Sequence, residues 1–250
     1  MKPLISLQLW SVQEACAEDF ESVLEQVKAF GYDGVEFAGY YNRKAQTIKV
    51  KLSDLSLHVS GAHVGFEQLR DEFDKTVAFE KALGNDVLIV PYMDAPSEKE
   101  WEEQILILKE ISDKLNKEGL TLGYHNHAHE LMAIPQVNIL EKMIELIPTI
   151  QLEVDTYWLA YAGVDVIPWL TKHQQNIKWL HLKDMRVTGD EKESTEIGKG
   201  MLPIDRYLDW AKEAELDWVV IEQEAFQELT PMESAKINVK TLKEWKEKGR

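Results

Sequence analysis

The chain is expected to form a single α/β domain, an eightfold (β/α)8 barrel over residues 1–250. Three observations carry that expectation. A length of 250 residues is usual for one such barrel. Short β-like runs alternate with amphipathic helical runs from one end of the sequence to the other, which implies a parallel sheet, and eight such units favour closure. No GxGxxG follows the first strand, which weakens the rival, an open doubly wound sheet built around a dinucleotide.

The elements follow in order. Residues 4–9 are apolar and bounded by polar residues, as a buried first strand requires. Asp19 can cap a helix through Phe30 with Phe20, Val23, Leu24 and Val27 on one face, and Gly31 ends it. The second strand is 34–38 and the third 57–62, and the segment 40–54 between them gives the weakest helical signal. A helix from about 67 to 83 leads to a strand at 86–90, stopped by Pro91. Ser97 and Glu100 form a capping box opening a helix to 118, with Gly119 as its stop. The fifth strand is 121–126, residues 138–147 are helical, and the sixth strand is 150–155. A short helix at 164–172 precedes the seventh strand, 177–182. Pro203 sits in the first turn of a helix at 203–213, where its missing N–H costs nothing. The eighth strand starts at 218–221, and 231–246 closes the chain as a helix.

Bulk composition narrows the function. The formal net charge of −16 repels phosphate backbones and anionic lipid, so neither nucleic acid nor a membrane is an expected partner. The N-terminal apolar run is broken by Ser6 and Gln8, which reads as a strand and not as a signal peptide. The one cysteine, Cys16, permits no intrachain disulfide and suits a cytoplasmic, reducing setting. A small-molecule substrate is the partner these exclusions leave, and the sequence leaves a homo-oligomer open.

In such barrels the chemistry gathers at the C-terminal ends of the strands. Those ends carry Gln8 and Trp10, Glu36, His63, then His125, His127, His129 and Glu130, then Asp155, then His181, Lys183 and Asp184, then Glu222 and Glu224. Period-two alternation puts His125 and His127 on one face, and likewise His181 with Lys183 and Glu222 with Glu224. Buried carboxylates and imidazoles need partners or a cation, and mixed ligands of this kind suit Mn2+, Mg2+ or Zn2+.

The motifs YHNHAHE at 124–130, LEVDTYW at 152–158, WLHLKD at 179–184, IGKG at 197–200 and VVIEQE at 219–224 resemble, in this order, the sugar phosphate isomerase/epimerase family. That family lies in the xylose isomerase-like barrel superfamily, which also includes endonuclease IV, and the opening QLWSV and GYDGVEF look like its first two strands. The resemblance implies one divalent metal held by Asp155, His181 and Glu222, with His125 in place of the family's first glutamate. His127 matches a histidine that faces the substrate in some dehydratase relatives, and Lys183 matches a lysine in the same relatives. Epimerase relatives often carry a histidine where this chain has Trp158.

The expected activity is therefore metal-dependent isomerisation or epimerisation of a ketose or sugar phosphate, by removal of a proton next to a carbonyl. His127, Glu130, Lys183 and Glu222 are the catalytic candidates. Gln8, Trp10, Glu36, His63 and Trp158 are the substrate-binding candidates, the tryptophans packing on the apolar sugar face. His125, Asp155, His181 and Glu222 are the metal ligands. Replacement of the first glutamate by His125 removes half of the symmetric epimerase shuttle, so the alternative is a dehydratase or lyase acting on keto sugars or keto inositols. A DNA-repair nuclease would want more histidines around several zinc ions and a basic face, which the charge of −16 opposes. Gly198 and Gly200 give only a weak phosphate-cradle signal.

Overall fold

Strand alternation decides which side chains face the helices and which face the barrel axis. In the computed structural model, which describes residues 3–248, eight parallel strands close into the expected barrel. The first four are β1 (Leu4–Gln8), β2 (Gly34–Ala38), β3 (His58–His63) and β4 (Val87–Val90), and the next three are β5 (Thr121–His125), β6 (Gln151–Asp155) and β7 (Ile177–Leu182). A two-stranded antiparallel hairpin, β8 (Asp184–Thr188) and β9 (Glu191–Thr195), interrupts the series before β10 (Trp218–Ile221), which pairs with β1 and β7 to close the ring.

The helices wrap the outside. On β7, Leu180 and Leu182 join the apolar layer between strands and helices, while Trp179 and His181 alternate to the other face. The same outer layer takes Val35 and Phe37, Leu88 and Val90, Leu122 and Tyr124, and Leu152 and Val154. Each such large side chain contributes about 1.5–3 kcal/mol on burial. Inside, Ile89 fills the floor: a Cβ on Gly61 would lie 2.8 Å from Ile89 Cδ1, and one on Gly123 2.9 Å from Ile89 Cγ1. Those two glycines therefore make room for one isoleucine. Cys16 packs in the outer layer, and burial pushes its thiol up to about 12.

Helix α1 (Gln13–Phe30) begins six residues before the expected cap, after a 3-10 turn at Leu9–Val12. Asp19 is non-helical inside it, and its Oδ1 accepts the Ser22 N–H at 3.0 Å, so the residue does cap a segment, the second half of a kinked helix. The unclear segment after β2 contains α2 (Ala45–Leu55). The single helix expected near 67–83 is two, α3 (Phe66–Asp71) and α4 (Phe73–Leu83), with Glu72 ending one and starting the next. Ser97 caps α5 (Glu98–Lys117) as expected, and Asn138 caps α7 (Ile139–Leu146) after the single turn α6 (His129–Met132).

Past β6, α8 (Thr156–Tyr161) starts where the sequence reading had none, because the Asp155 side chain caps it. Then come α9 (Val166–Lys172), α10 (Ile204–Glu213) and α11 (Pro231–Lys248). Among the described residues no helix is long and apolar enough to cross a membrane.

The hairpin was also unexpected. Gly189, at φ +65°, opens its turn with Asp190. Asp184 ties the hairpin and the following loop to the barrel. Its carboxylate accepts N–H groups from Met185, Gly198, Gly200 and Leu202 at 2.8–3.0 Å. The glycine amides noted as a phosphate cradle are thus filled by the protein's own anion. Asp184→Ala should lower the unfolding free energy by about 3 kcal/mol, the scale of losing charge-assisted bonds to buried N–H groups. Urea denaturation checks this, and an unchanged midpoint would contradict it.

Candidate active site

Four carboxylates, Glu36, Glu153, Asp155 and Glu222, and two histidines, His125 and His181, are buried inside the barrel with Lys183. They form two layers. The lower layer is a closed ring in which one oxygen of each of two glutamates meets two imidazole nitrogens. Glu153 Oε2 lies 2.8 Å from His63 Nε2 and 3.0 Å from His181 Nε2, and Glu36 Oε2 lies 3.1 and 2.9 Å from the same two atoms. Gln8 Nε2 donates to Glu36 Oε2 at 2.5 Å, and Gln8 Oε1 accepts the Trp10 N–H.

The backbone bends to deliver these groups. The β2–β3 register shifts between Val35 and Glu36, and the β6–β7 register shifts between Leu152 and Glu153. Both irregularities fall next to an inward glutamate, where a bulge re-aims a side chain. Burial opposes charge on the ring, but the opposite charges prevail. Burial would lower His63, yet Glu36 and Glu153 raise it to about 9, and burial would raise Glu36, yet His63 and His181 hold it well below the usual carboxylate range.

The upper layer contains the four residues expected to hold a metal. Ligand atoms of His125, Asp155, His181 and Glu222 lie within 4.8 Å of one another. Asp155 Oδ1 is used as the α8 cap, accepting the N–H groups of Tyr157 and Trp158, which turns Oδ2 toward the cluster. Asp155 Oδ2 is buried and accepts no hydrogen bond. His125 Nε2 is 4.0 Å from that oxygen, and His181 Nδ1 is 3.2 Å from Glu222 Oε2. Two imidazoles and two carboxylates, one at the end of each of four strands, fit a divalent cation by donor chemistry.

Lys183 borders the same cluster. Its ammonium lies 3.0 Å from Asp155 Oδ2, 2.9 Å from Glu222 Oε2 and 3.1 Å from Glu224 Oε2. The rings of Tyr157 and Trp158 stand 5.3 and 5.1 Å from Nζ. Burial would favour loss of the proton, but Asp155, Glu222 and Glu224 keep Lys183 charged. Glu222 is in turn held ionised: burial is outweighed by Lys183 and His181. Glu224 differs, because burial, reinforced by Glu222, raises its carboxyl against the pull of Lys183.

Above these layers opens a cavity of about 430 Å³ whose lining includes Trp10, His63, Tyr92, His127, Glu222 and Glu224. Burial, with Lys183 adding, lowers His127 to about 3, so it is a neutral imidazole. Trp158 packs 5.4 Å from the His127 ring. Glu130 is not part of the lining. It is buried, accepts the Tyr124 hydroxyl and the His127 N–H, and so braces the end of β5. Gln8 and Glu36 are spent in the lower ring and not presented to the cavity.

Sequence reasoning passed over Glu153, Tyr92 and the weight of Glu224. The signal for Glu153 was available, since a residue two before Asp155 on a strand shares its face. Replacing Lys183 by Met leaves three carboxylates around an uncharged side chain. Lys183→Met should cost the metal-free protein about 3–5 kcal/mol by urea denaturation at pH 7, and equal stability would show that the ammonium does not hold the carboxylates.

Residues 24–245 match the xylose isomerase-like TIM barrel family. An inosose dehydratase from Lacticaseibacillus casei is 23% identical over 245 residues, covering 82% of this chain and 82% of that protein. An inosose dehydratase from Geobacillus thermodenitrificans (strain NG80-2) is 25% identical over 193 residues, covering 67% of this chain and 64% of that protein. Among solved structures, a sugar phosphate isomerase/epimerase from Parabacteroides distasonis ATCC 8503 superposes with a TM-score of 0.83 at 22% identity, covering 95% of this chain and 96% of the other, a likeness of fold. With its closed parallel barrel and its polar residues gathered at the strand ends, the chain belongs to the xylose isomerase-like TIM barrel family.

Proposed function

We propose that this protein is a divalent-metal-dependent enzyme that removes a proton beside the carbonyl of a small polyhydroxylated ketone and expels a neighbouring hydroxyl as water. The observation that carries the reading is the pair Glu222 and Glu224 on one wall of the cavity, both held by the charged Lys183 ammonium buried behind that wall. The inosose dehydratase relatives support the same outcome.

His125, Asp155, His181 and Glu222 would hold the metal, and when bound it supplies Lewis acidity that stabilises charge developing on a substrate oxygen. Glu224 lines the cavity with a carboxyl raised by burial, so it accepts the C–H proton. The proton that Glu224 accepts passes to the departing hydroxyl, and the C–O bond breaks as the C=C bond forms, while the Lys183 ammonium 3.1 Å behind Glu224 Oε2 balances its charge. His127, neutral, accepts a hydrogen bond from a substrate hydroxyl. Trp10 and Tyr92 offer exposed aromatic faces at the mouth. The lining residues include neither Lys nor Arg, which favours an unphosphorylated substrate.

A second reading, isomerisation or epimerisation of a ketose, is favoured by His127 and Glu222 lining the same cavity, which would let protons come and go at two places. One assay separates the two. Chelator-treated protein reloaded with Mn2+ is incubated in 2H2O with keto inositols, 3-keto sugars and ketoses. Enone absorbance with loss of water supports dehydration, and deuterium in the product without water loss supports isomerisation. Full activity without metal, or neither signal with any of Mn2+, Mg2+ or Zn2+, would overturn the proposal.

A further inference from the structure

His125 and His181 each meet a different neighbour at each ring nitrogen. His181 turns Nε2 down to the ring, 2.9 Å from Glu36 Oε2 and 3.0 Å from Glu153 Oε2, and Nδ1 up, 3.2 Å from Glu222 Oε2. His125 does the reverse. Its Nδ1 is in close contact with Glu153 Oε2 at 3.2 Å without hydrogen-bond alignment, and its Nε2 is the nitrogen nearer Asp155. A neutral imidazole carries one proton, and the nitrogen that donates it cannot ligate.

We infer that the buried Glu36–Glu153 pair fixes the two metal-binding histidines in opposite tautomers, His125 ligating through Nε2 and His181 through Nδ1. Glu153 reaches both rings with one oxygen, so it is the common positioning residue. His63 and Gln8 hold the pair in place from the other side, at 2.8 Å from Glu153 and 2.5 Å from Glu36. Carboxylates that accept the distal N–H of a ligand histidine orient the ring and raise its basicity, and losing such a partner typically weakens metal binding about 10- to 100-fold. The inference rests on the metal reading above but concerns which atoms bind and what holds them.

His63, His125, Glu153 and His181 also bring ligand atoms within 4.8 Å of one another, a second donor set around the lower ring. The opposite-tautomer arrangement is favoured because every nitrogen in that ring has a carboxylate oxygen to receive its proton. A cation in the lower ring would instead bind His181 through Nε2.

Two measurements on full-length protein test this. In zinc-loaded protein with 15N-labelled histidine, long-range 1H–15N spectra should show His125 bound through Nε2 with its proton on Nδ1, and His181 bound through Nδ1 with its proton on Nε2. Binding of His181 through Nε2 would overturn the inference and place the cation in the lower ring. In chelator competition, Glu153→Gln should bind Zn2+ about 10- to 100-fold more weakly than the parent. Equal affinity overturns the inference alone, whereas a parent that binds no Zn2+, Mn2+ or Mg2+ overturns the metal reading with it. The spectra need no variant, so they decide the matter even if Glu153→Gln fails to fold.

Discussion

Burying negative charge is what this barrel has to solve. Glu36, Glu153, Asp155 and Glu222 are all shut away from solvent in one interior, where an isolated carboxylate is costly. Lys183 is the one fully buried ammonium among the described residues, and it serves only the upper carboxylates. The lower pair is balanced by imidazoles, which can carry charge or give it up. The two layers share His181, whose opposite ring nitrogens face Glu36 and Glu222. Orientation below and chemistry above are thereby tied through one side chain.

Much of this was legible before any coordinates. Strands recur at period two and helices carry their own caps and stops, so the eight barrel strands, the Ser97 and Asn138 helix starts and the order of strand-end residues follow from local rules. Parity placed His125 with His127 and His181 with Lys183, and the convergence of the four expected ligand residues followed from barrel closure.

What escaped depends on long-range partners. Asp155 reads as a ligand in sequence, and its second use as the cap that starts α8 is visible only when Tyr157 and Trp158 turn back onto it. Gly198 and Gly200 carry an anion-binding pattern, and only the fold reveals that Asp184 is the anion. Glu130 and Glu36 have the right residue type at the right strand ends, yet Tyr124 claims one and His63 and His181 the other. Glu224 looks like a solvated loop residue until Lys183 and the cavity wall are seen around it.

The central claim is that one divalent cation binds between His125, Asp155, His181 and Glu222. Crystals grown with Mn2+ and measured at the manganese absorption edge test it directly. The account predicts an anomalous peak within about 2.0–2.3 Å of His125 Nε2, Asp155 Oδ2, His181 Nδ1 and Glu222 Oε2. No peak there, with the Lys183 ammonium still closing on Asp155 and Glu222, would contradict it.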